Sequence, residues 1–107
     1  MTGKSNNSSK KILFVCIENS SRSQMAEGFA RAKGINASSV GTIPSNHINP
    51  LAIDVMKERG IDTSEARTKA ITEQMVQEAD VVVLTDSSLE NLISKNIQEK
   101  IGKKLVV

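Results

Sequence analysis

The chain has 107 residues, with one Cys, one His, two Phe and no Tyr or Trp, and its fourteen basic and twelve acidic side chains leave a net charge of +2. That length suits one domain with a modest core, and the balanced charge with so few aromatics argues against a nucleic-acid groove or a base-stacking platform. A single thiol excludes an internal disulfide and fits a reducing compartment, the cytoplasm by default, while one Cys and one His cannot assemble a structural zinc site.

Residues 1–10, MTGKSNNSSK, read as a disordered polar tail with no apolar segment that could serve as a signal peptide. No later stretch reaches membrane-spanning length, so the expected domain is residues 11–107. Lys10 to Ile17 reads as the first strand. Helix one is expected over Ser23 to Lys33, with Met25, Phe29 and Ala32 on one face and Gly34 ending it.

Between these elements lies Cys-Ile-Glu-Asn-Ser-Ser-Arg-Ser, residues 16–23. A loop from the end of a strand to the start of a helix turns successive backbone N–H groups into one concavity, and the helix dipole adds positive potential there. The loop Ile17, Glu18, Asn19, Ser20, Ser21 is therefore a candidate oxyanion cradle with Cys16 at its floor. Those amides and a nearby guanidinium favour the nucleophilic thiolate. Arg22 supplies a planar fork for two oxygens of a phosphate or arsenate, and Ser23 can donate a hydrogen bond to the thiolate. An isolated Cys after a strand is most often a small core residue. Here the polar Asn-Ser-Ser run and an Arg six positions on are not what a core needs.

Strand two is short, near Ala37 to Gly41. In the polar stretch 43–47, His47 reads as a solvated loop histidine, although that stretch could rim the anion site. Asn49-Pro50 forms a helix start, and the helix runs to Arg59 before Gly60, with Leu51, Val55 and Met56 among its apolar positions. Ile61 to Ile71 is polar and irregular, and Thr72 to Glu78 is a short helix. Asp80-Val-Val-Val-Leu84 has the continuous β-branched run of a strand buried on both faces of a parallel sheet. Ser87 and Glu90 then suit a capping box for a helix lined by Leu89, Leu92, Ile93 and Ile97 and ended by Gly102. The Asp86-Ser87-Ser88 turn suits a helix cap on the same rim as Cys16. Lys104 to Val107 gives strand four. Such alternation implies an α/β fold: a doubly wound, four-stranded parallel sheet with helices on both faces and ligands at the carboxyl ends of its strands.

Residues 12–28, ILFVCIENSSRSQMAEG, resemble the signature of the low-molecular-weight protein tyrosine phosphatase superfamily. The Arg-Ser-Gln-Met-Ala-Glu ending is closest to its thioredoxin-coupled arsenate reductase branch. Val-Gly-Thr at 40–42, Asn-Pro at 49–50 and Met-Lys-Glu-Arg-Gly-Ile-Asp at 56–62 extend the likeness over about residues 11–107. The resemblance implies Cys16 as nucleophile, Arg22 as oxyanion and transition-state clamp, Ser23 as thiolate stabiliser, and Asn19 as the residue that holds the strained loop backbone. It implies no cofactor.

Two departures qualify it. Arsenate reductases of that branch relay oxidation to two further cysteines, and the matching positions here are Thr85 and Leu92, so an external thiol (thioredoxin, glutaredoxin or a small thiol) would have to release the arsenic adduct. Family members also carry a general-acid Asp loop and a last helix beyond strand four, where this chain stops. The sheet face left without that helix invites dimerisation. Cysteine-phosphorylated sugar-transport subunits have no need of Arg22. The sequence therefore leads with phosphomonoester hydrolysis through a phosphocysteine, on phosphotyrosine-type substrates. Arsenate reduction with an external thiol comes narrowly second, and a non-catalytic oxyanion-binding module third.

Overall fold

The sheet has four parallel strands, β1 (Lys11–Cys16), β2 (Asn36–Gly41), β3 (Val81–Leu84) and β4 (Leu105–Val106), ordered β2-β1-β3-β4, with β1, β3 and β4 mainly apolar and β2 more polar. This computed structural model describes residues 10–85, 93–102 and 105–106. β1 pairs with β2 on one side and β3 on the other, with Val15 opposite both Val40 and Leu84 and Cys16 opposite Gly41. The chain thus winds outward from β1 in one direction and then crosses to the other. The crevice at the carboxyl end of β1 is where that winding reverses, the place such sheets bind ligands, and Cys16 is the last residue of β1.

Among the described residues four helices pack around this sheet: α1 (Arg22–Ala32), α2 (Pro50–Glu58), α3 (Glu73–Glu78) and α4 (Lys95–Ile101). Asn49 caps α2, its side chain accepting from the amide of Leu51, and Pro50 takes the first turn, where its missing N–H costs nothing. Thr72 caps α3 in the same way, through the amide of Met75.

Strand side chains alternate, so Leu13, Val15, Val40, Val82 and Leu84 form one core cluster with Val76 and Ala79 of the α3 segment and with Ile93 and Ile101 around α4. Burying each such Val or Leu contributes about 1.5–3 kcal/mol, which makes this cluster the main source of stability. On the neighbouring positions Ile12, Phe14, Val81 and Val83 are only half-buried. The Val81–Leu84 strand is therefore covered fully on one face and partly on the other, less than its β-branched run implies.

Three expectations from sequence need correction. α1 does not bury Met25, Phe29 and Ala32: Phe29 and Ala32 are exposed, and the inward residues are Ser23, Gln24, Glu27 and Ala30. The helix is aimed by the loop before it, and its inner side must serve polar partners rather than an apolar core. In α2 only Ala52 and Met56 are buried, while Leu51 and Val55 point outward. The last helix does not run unbroken through Ile93 and Ile97, because Ser94 is extended (φ −61°, ψ 154°) and caps a new start at Lys95 by accepting from the amide of Ile97. The Ser87–Glu90 capping box, the Asp86-Ser87-Ser88 turn, Leu92 and the tail before Lys10 lie outside the described residues.

Candidate active site

The loop that leaves β1 is wrapped from outside by the segment that follows β2. Amides of Thr42, Ile43, Ser45 and Asn49 donate to the carbonyls of Cys16, Ile17, Glu18 and Ser20 at 3.0, 2.7, 3.0 and 2.8 Å. Carbonyls held outward in this way leave a turn whose amides can face inward, the arrangement of an anion nest. Ser21, the N-cap residue of α1, makes no side-chain cap bond, so the orphan N–H groups of the first helical turn add to the same concavity.

Asn19 has φ of 55°, a left-handed conformation that Asn tolerates better than most non-glycine residues. That turn lets its amide donate to Cys16 Sγ at 3.0 Å. Ser23 Oγ lies 2.8 Å from the same sulfur, so the buried thiol, 5% exposed, meets one backbone and one side-chain group. Arg22, the first residue of α1, is exposed, and among the described residues its guanidinium takes no ion-pair partner. The oxyanion-loop residues Ile17, Glu18, Asn19, Ser20 and Ser21 thus line one continuous turn between Cys16 and Arg22. Glu18 points outward on it, 3.5 Å from the Ser20 hydroxyl.

Behind the loop is a polar network that sequence reasoning missed. Asn19 Nδ2 donates to Ser23 Oγ and to Ser39 Oγ, both at 2.9 Å, and Ser39 Oγ donates to Glu27 Oε1 at 2.6 Å. Glu27 also pairs with Arg31 at 3.0 Å. On the other side Asn19 Oδ1 accepts from the amide of Lys69 at 2.8 Å, and Gln24 Nε2 reaches Asn19 O, Asn19 Oδ1 and Arg67 O. Asn19, Ser23, Gln24 and Ser39 are all buried, and each of these polar groups is satisfied. Polar residues at 23, 24 and 27, one helical turn apart, were the available signal, but a soluble helix usually turns such residues to water.

His47 is exposed and sits in a cleft with Arg67 and Thr68 rather than on the loop after β1. Thr85, where the resemblance puts a further cysteine, donates its hydroxyl to Val15 O at 3.1 Å. Among the described residues no three His, Cys, Asp or Glu side chains form a metal-binding group. No helix among them is long and apolar enough to cross a membrane.

A strand-ending Cys, an Arg six residues on and a polar turn opening a helix make an arrangement able to hold an oxyanion over a thiol. The low-molecular-weight phosphotyrosine protein phosphatase family model matches residues 11–106, and the chain belongs to that family. It is 40% identical over 85 residues to an arsenate reductase of Staphylococcus aureus, covering 77% of this chain and 64% of that one. It is 42% identical over 76 residues to a glutaredoxin arsenate reductase of Synechocystis, covering 69% and 58%. An arginine phosphatase from Geobacillus stearothermophilus superposes with a TM-score of 0.81 at 26% identity, covering 92% of this chain and 66% of that one. The chain thus spans under two thirds of the length of these two arsenate reductases.

Proposed function

We propose that the protein carries out cysteine-dependent chemistry on a tetrahedral oxyanion, and that the oxyanion is arsenate, reduced to arsenite with an external thiol. The observation that carries the chemistry is the Cys16 sulfur held between the Asn19 amide and the Ser23 hydroxyl at the floor of the loop. The choice of arsenate rests on the 40–42% identity to arsenate reductases.

In this reading the Cys16 thiolate attacks arsenic, and one arsenate oxygen leaves as water after taking up protons. The Cys16 S–As bond so formed is then cleaved by an external thiol attacking Cys16 sulfur. The bonding pair stays on arsenic, which leaves as arsenite, two electrons reduced, and the two sulfurs form a mixed disulfide. A second thiol regenerates Cys16. Arg22 closes on two oxygens of the oxyanion, and its planar fork compensates charge as the transition state forms. Ser23 donates to the thiolate. An external thiol is the reductant in this reading, since these 107 residues hold one cysteine, Cys16. A thioredoxin, a glutaredoxin or a small thiol would serve, and such partners place the reaction in a reducing compartment.

Phosphomonoester hydrolysis is the second reading, favoured by the likeness to the arginine phosphatase and by a Thr, not a Cys, at position 85. It shares the first step, with phosphorus in place of arsenic and water as the second attacker. The deciding experiment follows arsenite formation by the 107-residue protein with glutathione and glutaredoxin, beside hydrolysis of p-nitrophenyl phosphate. Arsenite made only when thiol is present, and lost in Cys16→Ser, is the expected result. Phosphate release without arsenite formation would select the phosphatase, and neither activity would leave an oxyanion-binding module.

A further inference from the structure

We propose that Gln24 is a positioning residue for Cys16: with the Lys69 amide it holds the Asn19 carboxamide facing one way from the far side of the loop, and so leaves the Ser23 hydroxyl to donate to the thiolate. The proposal rests on the reading of Cys16 as the nucleophile and concerns which hydrogen-bond donors face that sulfur.

Hydrogen-bond directions can be assigned one after another. The Lys69 backbone N–H can only donate, so the Asn19 atom facing it at 2.8 Å is the carbonyl oxygen. Gln24 Nε2 faces that same oxygen at 3.1 Å, together with the carbonyls of Asn19 at 3.1 Å and Arg67 at 2.8 Å. Three oxygen acceptors around one atom leave no room for the opposite amide orientation. Asn19 Nδ2 therefore points at Ser23 and Ser39, with one hydrogen for each. The Glu27 carboxylate closes the other branch by taking the Ser39 proton, so Ser39 can only accept from Asn19. Ser23 Oγ likewise accepts from Asn19, and its own hydrogen is left for Cys16 Sγ at 2.8 Å.

Without Gln24 the Asn19 amide is held from that side by the Lys69 amide alone. An inverted Asn19 would present oxygen to Ser23, and Ser23 would then donate to Asn19 instead of to the sulfur. Gln24 is 3% exposed and touches the strap around Arg67 as well as the loop, so it joins two segments 43 residues apart in the chain.

The single cysteine makes the test direct: the rate of iodoacetamide alkylation is followed against pH, with no turnover required. In Gln24→Met the half-ionisation midpoint of Cys16 is expected to rise by about one pH unit over the parent, the scale of a lost charge-assisted hydrogen bond. In a Ser23→Ala background the same substitution is expected to produce almost no further shift, because its effect reaches sulfur through Ser23. A merely structural role would lower the melting temperature and leave the midpoint in place. An unchanged midpoint, or an equal shift with and without Ser23, overturns the proposal. If Gln24→Met does not fold, Glu27→Gln carries the same two arms from the other end of the network. Failure of the nucleophile reading itself would appear separately, as turnover retained by Cys16→Ser.

Discussion

Gly41, the last residue of β2, lies directly against the loop that leaves β1. A Cβ there would come within 2.6 Å of Ile17 O, 2.9 Å of Asn19 N and 3.0 Å of Asn19 Cβ. Two of these are backbone atoms of the loop, and the Asn19 amide is the donor to Cys16 Sγ. Relief requires the Ile17 carbonyl to retreat by about 0.8 Å, the gap between 2.6 Å and the 3.4 Å at which ordinary contact begins. That carbonyl is held by the amide of Ile43 at 2.7 Å, so the wrapping segment must move with it.

Overpacking of this kind costs about 1–3 kcal/mol. For a domain of this size that is a fall of roughly 5–15 °C in melting temperature. A displacement of nearly 1 Å at the nucleophile costs about 10²-fold in rate. Gly41→Ala would be assayed by thermal unfolding and by initial rates of arsenite formation and p-nitrophenyl phosphate hydrolysis. Gly28→Ala is the matched control, since its Cβ also meets an atom at 2.6 Å, but that atom is the flexible end of Met56. Ala gains about 1 kcal/mol of helix propensity over Gly, which offsets repacking of the buried Met56, so a small change in melting temperature and a parent-like rate are expected there. Parent-like rate and stability in Gly41→Ala, or equal damage from both changes, would refute the steric argument.

Cys16→Ser should retain phosphate or arsenate binding within a few-fold by isothermal titration, because the amide cradle and Arg22 remain; lost binding would mean that the sulfur, not the cradle, holds the anion. Arg22→Ala should weaken that binding by about 10–100-fold and slow turnover with it, the scale of a bidentate charge-assisted pair. Unchanged affinity would remove Arg22 from the site. The Ser64 hydroxyl and amide hold the Asp62 carboxyl below its usual range, ahead of the Lys57 charge. A depressed carboxyl stabilises the fold above its ordinary pKa and loses that contribution as pH falls, so the stability gap between the parent and Asp62→Asn should narrow below about pH 4. A gap constant across that range in pH-dependent thermal unfolding would refute it.

The chain order of strands and helices was readable from local pattern. β-Branched runs, the Asn49-Pro50 start and the Thr72 cap are signals within a few residues, and the Cys16, Arg22 and Ser23 spacing marks the loop by itself. The unread parts depend on residues distant in sequence. α1 turns Ser23, Gln24 and Glu27 inward because Asn19, Ser39 and Arg67 wait there to bond them, and no helical periodicity encodes those partners. The Ser94 restart hides inside an apolar spacing that an unbroken helix would share. Local chemistry therefore singled out the residues proposed to bind and attack an oxyanion. Only the tertiary structure decided how they are held, because the Lys69 amide reaches Asn19 across 50 residues and Ser39 reaches it from a neighbouring strand. Such directional hydrogen bonds exist only once the sheet has brought their ends together.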